Sequence, residues 1–143
     1  MINRRALILS SLAFPIAANA SPFQPGSRDE FLYSIGDRCF FGFDHYELDA
    51  AALHQLDRQV DWFIKYPWVS ATIEGHCDER GTRVYNLTLG ERRAYLVKEY
   101  FVTRGIDPHR FQTISYGKER PAVLGSNEAA WSQNRRVVIV LNS

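Results

Sequence analysis

What most constrains this chain is a hydrophobic period that switches between two values. Leu53, Leu56, Val60 and Phe63 recur at helical spacing, whereas Val69, Ala71 and Ile73 alternate on one face as a strand does. A second helical face runs through Leu89, Ala94, Val97 and Phe101. Short strands are predicted around these helices over Arg38–Phe43, Trp68–Glu74 and Phe111–Tyr116. Arg136–Leu141 (RVVIVL) is apolar, β-branched and too short for a helix, so it reads as a buried central strand. Punctuation agrees: Asp49 and Thr82 are suited to cap the two helices, Pro67 stops the first, and Gly105 with Pro108 ends the second. Glu128–Gln133 can form a short helical turn. The predicted order is β-α-β-α-β-(α)-β. This is an α+β two-layer sandwich with the helices on one face of a four-stranded mixed sheet.

The first twenty residues are of different material. Arg4 and Arg5 precede a short apolar run, and Ala18-Asn19-Ala20 has the small-residue pattern of a cleavage site, the ordering of a secretory signal peptide. The run is shorter than the roughly 20 residues a membrane span needs, and no later stretch is apolar enough to span one. The whole chain has 17 basic and 16 acidic residues; with Arg4 and Arg5 removed the balance is 15 to 16. So even a balance argues against bulk attraction to nucleic acid, which needs a basic face. Residues 21–30 hold two Pro, two Ser and a Gly and read as a short flexible tether. Residues 31–143 form the domain.

The densest polar feature is the glycine-bounded loop Gly75-His76-Cys77-Asp78-Glu79-Arg80-Gly81, between a strand end and a helix start. Ligands of α/β sheets favour this place, where strand ends and helix N-termini converge. Asp44 follows the first strand. If the first two strands run parallel, Asp44 and Asp78 share one edge of the sheet and can seat an ammonium group. Either Arg92 or Arg93 can face back toward the loop from the second helix, and its guanidinium fork suits a carboxylate. The combination describes a zwitterion site. The alternative is structural, with Asp78 capping the loop and pairing with Arg93.

Other residue types point elsewhere. Cys39 lies five residues before Asp44, roughly 16 Å back along a strand, whereas Cys77 adjoins Asp78. A disulfide needs α-carbons within about 7 Å, so two free thiols are expected. His76, Cys77 and Asp78 cannot all point at one ion, and His45, His54 and His109 lack ligand spacing; no metal or cofactor is expected. Trp62, Trp68 and Trp131 read as core or rim packing.

Several segments together carry a family likeness: Phe41-Gly-Phe-Asp44, Glu74-Gly-His-Cys-Asp-Glu-Arg-Gly-Thr82, Tyr85-Asn86, Leu89-Gly-Glu-Arg-Arg-Ala94, Ser115-Tyr-Gly-Lys-Glu-Arg-Pro121 and Asn134-Arg-Arg-Val137. From about Arg38 to Leu141 the chain resembles the C-terminal peptidoglycan-binding domain of the outer-membrane protein A family, most strongly its lipoprotein branch in the Tol–Pal envelope system. The resemblance implies non-covalent binding of peptidoglycan at the diaminopimelate of the stem peptide, with no catalysis. It implies that Asp78 and Arg93 contact the zwitterionic end of diaminopimelate, that Asp44 lies in the same pocket, and that Thr82, Asn86 and Leu89 line or shape it. It further implies a periplasmic location at the inner face of the outer membrane and a periplasmic β-propeller protein as partner. Two departures stand out: no Cys follows the leader to receive a lipid, and Cys77 replaces the family's common Ala or Thr. The alternatives are a peptidoglycan-processing enzyme, for which Cys77 beside His76 is the only nucleophile–base candidate, and a protein-interaction module of the envelope machinery.

Overall fold

A computed structural model describes residues 21–142 of the chain; the expected leader over 1–20 lies outside them. Helix α1 (Arg28–Glu30) runs into a π-helical turn, Phe31–Ile35, and is followed by β1 (Arg38–Phe40), α2 (Ala50–Lys65), β2 (Ala71–His76), α3 (Arg83–Thr103), β3 (Phe111–Gly117), α4 (Glu128–Asn134) and β4 (Arg136–Leu141). The strand order is β1-β4-β2-β3. β4 runs antiparallel to both β1 and β2, and β2 is parallel to β3. β1 and β2 therefore point the same way with β4 between them. The fold is the α+β sandwich with a mixed sheet that the periodicity predicts, and β4 is one of its two central strands.

The helix signals work as capping chemistry requires. Asp49 accepts from the Ala52 N–H at 2.8 Å, and the Thr82 hydroxyl accepts from the Tyr85 N–H at 3.1 Å, each satisfying a donor that the helix itself cannot. Leu56, Val60 and Phe63 of α2 and Ala94, Val97 and Phe101 of α3 are buried against Ala71, Ile73, Val137, Ile139 and Phe111 of the sheet. Cys39 is in register with Val137, and Val137 with Gly75. A whole strand thus separates β1 from β2, a spacing of about 9.5 Å; Cys39 and Cys77 are both buried free thiols.

The end of β1, the start of β2 and the N-terminal segment differ from the sequence reading. β1 stops at Phe40 because the carbonyls just beyond it bend away to other donors, described below. β2 starts at Ala71, not Trp68: Val69 N–H turns back onto the Tyr66 carbonyl, and the Arg110 guanidinium takes the Val69 and Tyr66 carbonyls at 2.8 and 2.9 Å. Trp68 consequently lies 71% exposed, while Trp62 is core. Residues 28–30, read as part of the tether, are helical, and the segment is anchored. Ser27 caps α1, Arg28 reaches the Leu141 carbonyl, and Glu30 accepts from Trp62 Nε1 at 2.8 Å and the Gly26 N–H at 3.0 Å.

One close approach sets the position of α3. A Cβ on Gly75 would lie 1.7 Å from the Gly90 carbonyl oxygen, and one on Gly90 would lie 2.3 Å from Ser115 Oγ. With no side chain at either residue, the backbone of α3 lies directly on β2. This brings the start of α3 beside the carboxyl end of β2.

Candidate binding site at the carboxyl edge of the sheet

By strand alternation Gly75 and Cys77 face α3, while Glu74 and His76 face the opposite side of the sheet. Beyond β2 the Cys77 N–H is held by the Gly117 carbonyl at 2.8 Å, and the chain turns through Asp78 to Gly81. Gly81 adopts φ +94°, the left-handed region a glycine occupies without strain. Asn86 on α3 holds this loop, its side-chain amide donating to the Arg80 and Thr82 carbonyls at 2.8 and 3.0 Å.

Asp78 is 4% exposed. Its carboxylate accepts the Arg80 N–H (3.0 Å), Nε (3.3 Å) and Nη2 (2.8 Å), and Arg135 Nη1 (3.3 Å). Those bonds take up the roughly four acceptor positions a carboxylate has. Burial alone pushes its pKa up, but the Arg80 and Arg135 hydrogen bonds outweigh burial and hold Asp78 below the usual aspartate value. Arg80 is clamped in turn, its guanidinium 3.9 Å from the ring centroids of both Phe43 and Trp131. Arg135 also donates to the Phe41 carbonyl at 2.8 Å and forks onto Glu128.

Arg93 rises from α3 beneath these groups and is fully buried. Nε donates to the His45 carbonyl at 2.7 Å, Nη1 to that of His76 at 2.9 Å and Nη2 to that of Gly42 at 3.1 Å. It therefore ties the 42–45 loop to the end of β2, which is why β1 ends early. The sequence alternative of an Asp78–Arg93 pair is replaced by Arg80 and Arg135 as the partners of Asp78. Of the five donors of Arg93, one N–H remains on each η nitrogen. Asp44, carried by that loop at φ +57°, accepts a hydrogen bond from the exposed Tyr85 hydroxyl.

Asp44, Asp78, Arg93, Asn86 and Leu89 border one cavity of ≈ 170 Å³ together with Phe43, Arg80, Tyr85 and Arg135. Thr82 borders instead an adjoining cleft of ≈ 450 Å³ that shares Asp44, Tyr85 and Leu89 with the first. Sequence reasoning missed Arg80, Arg135, Phe43 and Tyr85 as site residues. All four lie inside the motif segments quoted above, so the signal was present but unassigned.

The Cys77–His76 pair is pulled apart. His76 turns to the other face, bonded to Glu74 at 3.1 Å and stacked on Tyr116. The Cys77 thiol is buried, donates to the Asn86 carbonyl at 3.3 Å, and is pushed up to about 11 by burial, so it is a poor nucleophile at neutral pH. Among the described residues no cluster of His, Cys, Asp or Glu is placed to hold a metal, and no helix is long and apolar enough to cross a membrane.

A mixed sheet with β4 threaded between two parallel strands, and a cavity of mixed charge where β2 meets α3, place the fold in the class of OmpA-like domains. Residues 40–135 match the OmpA family, and the chain belongs to it. Its relatives include the peptidoglycan-associated lipoprotein of Rhizobium meliloti (strain 1021), 49% identical over 126 residues, which are 88% of this chain and 72% of that protein. The protein of the same name from Brucella melitensis biotype 1 is 46% identical over 134 residues, covering 94% of this chain and 80% of the relative. The crystal structure of the peptidoglycan-associated lipoprotein from Burkholderia pseudomallei superposes with a TM-score of 0.72 at 35% identity, over 74% of this chain and 90% of that one. The C-terminal domain of Helicobacter pylori MotB shares the fold, with a TM-score of 0.68 at 20% identity, over 75% of this chain and 84% of that one.

Proposed function

We propose that this protein binds peptidoglycan non-covalently through the zwitterionic end of diaminopimelate and so tethers the envelope to the wall. The observation that carries the reading is the cavity in which Asp44 and Asp78 meet Arg80, Arg93 and Arg135. The names of its relatives supply the polymer. The ligand ammonium sits toward Asp44, the carboxylate least occupied by protein donors, with Asp78 behind it. The ligand carboxylate sits over Arg93, whose buried guanidinium supplies the positive charge beneath a small site where charge-assisted attraction is strong. Phe43 and Leu89 cover the methylene chain between the two ends. Thr82 and Asn86 hold the loop that carries Asp78 and Arg80. Residues 1–20 act as the export leader, the protein works in the periplasm against the inner face of the outer membrane, and a periplasmic β-propeller protein of the Tol–Pal type is its protein partner.

The test is retention on purified sacculi, with free diaminopimelate as competitor. Asp44→Ala, at an exposed position, is expected to weaken retention at least tenfold, with only a small drop in melting temperature from the left-handed backbone at that residue. Arg93→Ala is expected to abolish it, with stability measured in parallel because Arg93 also ties the 42–45 loop. Retention of Asp44→Ala at the level of the parent protein, or indifference to free diaminopimelate, would overturn the assignment.

A further inference from the structure

The first cavity holds one amino-acid end of a ligand, and the cleft beside it has a chemistry of its own. The two meet at Asp44, Tyr85 and Leu89, which border both, and the Tyr85 hydroxyl donates to Asp44 at that boundary. The cleft, at ≈ 450 Å³, is the larger. It is bordered by Tyr46, Val84, Thr88 and Arg92, and it runs along roughly the first three turns of α3. Arg92 and Arg93 are neighbours in sequence, so on a helix their side chains leave the axis about 100° apart. Arg93 goes under the first cavity and Arg92 goes to the rim of the second. Unlike Arg80, Arg83 and Arg135, Arg92 has no acidic partner among the described residues; its guanidinium lies 5.5 Å from the centroid of the Tyr46 ring. An unneutralised guanidinium with an aromatic ring beside it favours an anion with an apolar stem.

We infer that this cleft is a second subsite, built to receive the α-carboxylate of the glutamyl residue that precedes diaminopimelate in the stem peptide, with Arg92 as its specificity determinant. The inference rests on the proposed binding of diaminopimelate next door. In a stem peptide the glutamyl residue is joined to diaminopimelate through its side-chain carboxyl, so its α-carboxylate stays free unless amidated. A ligand whose far end fills the first cavity passes over the Tyr85–Asp44 boundary and presents that carboxylate about ten bonds from the end it has seated there. The site then distinguishes free from amidated stems by charge alone.

The experiment is titration calorimetry at low ionic strength with two probes, γ-D-glutamyl-diaminopimelate and the same dipeptide amidated at the glutamyl α-carboxyl. The parent protein is expected to prefer the acid by roughly three- to tenfold, the range for a partly exposed charge-assisted pair. Arg92→Gln is expected to bring the ratio to about one, and Arg92→Lys to restore part of it. Equal affinities in the parent protein, or a preference that survives Arg92→Gln, overturn the inference while leaving diaminopimelate binding intact. Failure of both probes to bind overturns the proposed function and this inference with it.

Discussion

Asp78 accepts every hydrogen bond its carboxylate can take, and this governs how it titrates. Its pKa lies below the usual aspartate value because the Arg80 and Arg135 donors outweigh burial. The folded state therefore binds the Asp78 proton less readily than the unfolded chain does. The stabilisation is fully present above the ordinary aspartate value of about 3.9 and is lost as pH falls through the lower folded value. Urea midpoints measured from pH 6 down to pH 2 are expected to fall over that acid limb, and more shallowly in Asp78→Asn. A limb of equal steepness in both proteins would mean that other carboxylates dominate. The same residue shows what local reading leaves out. The motif makes Asp78 visible, but its partners Arg80 and Arg135 do not follow from spacing: one folds back from two residues on, the other arrives from beyond α4.

At the scale of elements, the contact between β2 and α3 is the least forgiving. Gly75→Ala would put a methyl group inside the Gly90 carbonyl, and neither backbone can yield without moving the helix. A loss of about 2–3 kcal/mol is expected, seen as a lower urea midpoint with an unchanged slope, together with weaker sacculus retention because α3 carries Arg93, Asn86 and Leu89. Helix starts were legible in the sequence because a cap is a local bond, as at Asp49 and Thr82. Strand ends were not. β1 is shortened by Arg93, 51 residues after Gly42 in the chain, and β2 is delayed by Arg110, 41 residues after Val69. Nothing in an alternating pattern announces that a distant guanidinium will take its carbonyls. The site divides the same way: Asp44 and Asp78 meet because two strands point in one direction, which the order of elements implied. The filling of the cavity rim by Arg80 between Phe43 and Trp131 depends on tertiary packing.

At the scale of the whole molecule, the segment before β1 belongs to the domain. Phe31 is fully buried and packs on Trp62 and Phe63 at centroid distances of 4.8 and 5.5 Å. Glu30 holds Trp62 Nε1 and closes the turn at Gly26. Glu30→Ala is expected to cost about 1–2 kcal/mol by stranding the indole N–H. The loss should appear as a single shifted melting transition followed by Trp fluorescence and by far-ultraviolet circular dichroism together. Fraying of the segment before the rest melts would show instead that it is only laid on the surface.

The strand order carries a consequence for how such a chain acquires its shape in time. β4 is the seam between β1 and β2, yet it comes after every other described element. A chain that emerges amino end first from a narrow conduit has β1 with nothing to pair against and β2 bound only to β3, however long it waits. Closure depends on Arg136–Leu141 sliding between two strands already outside and taking hydrogen bonds on both edges at once. Until then the halves of the binding cavity, one behind β1 and one behind β2, have no fixed distance between them. The cavity thus takes its shape only once the last strand is through.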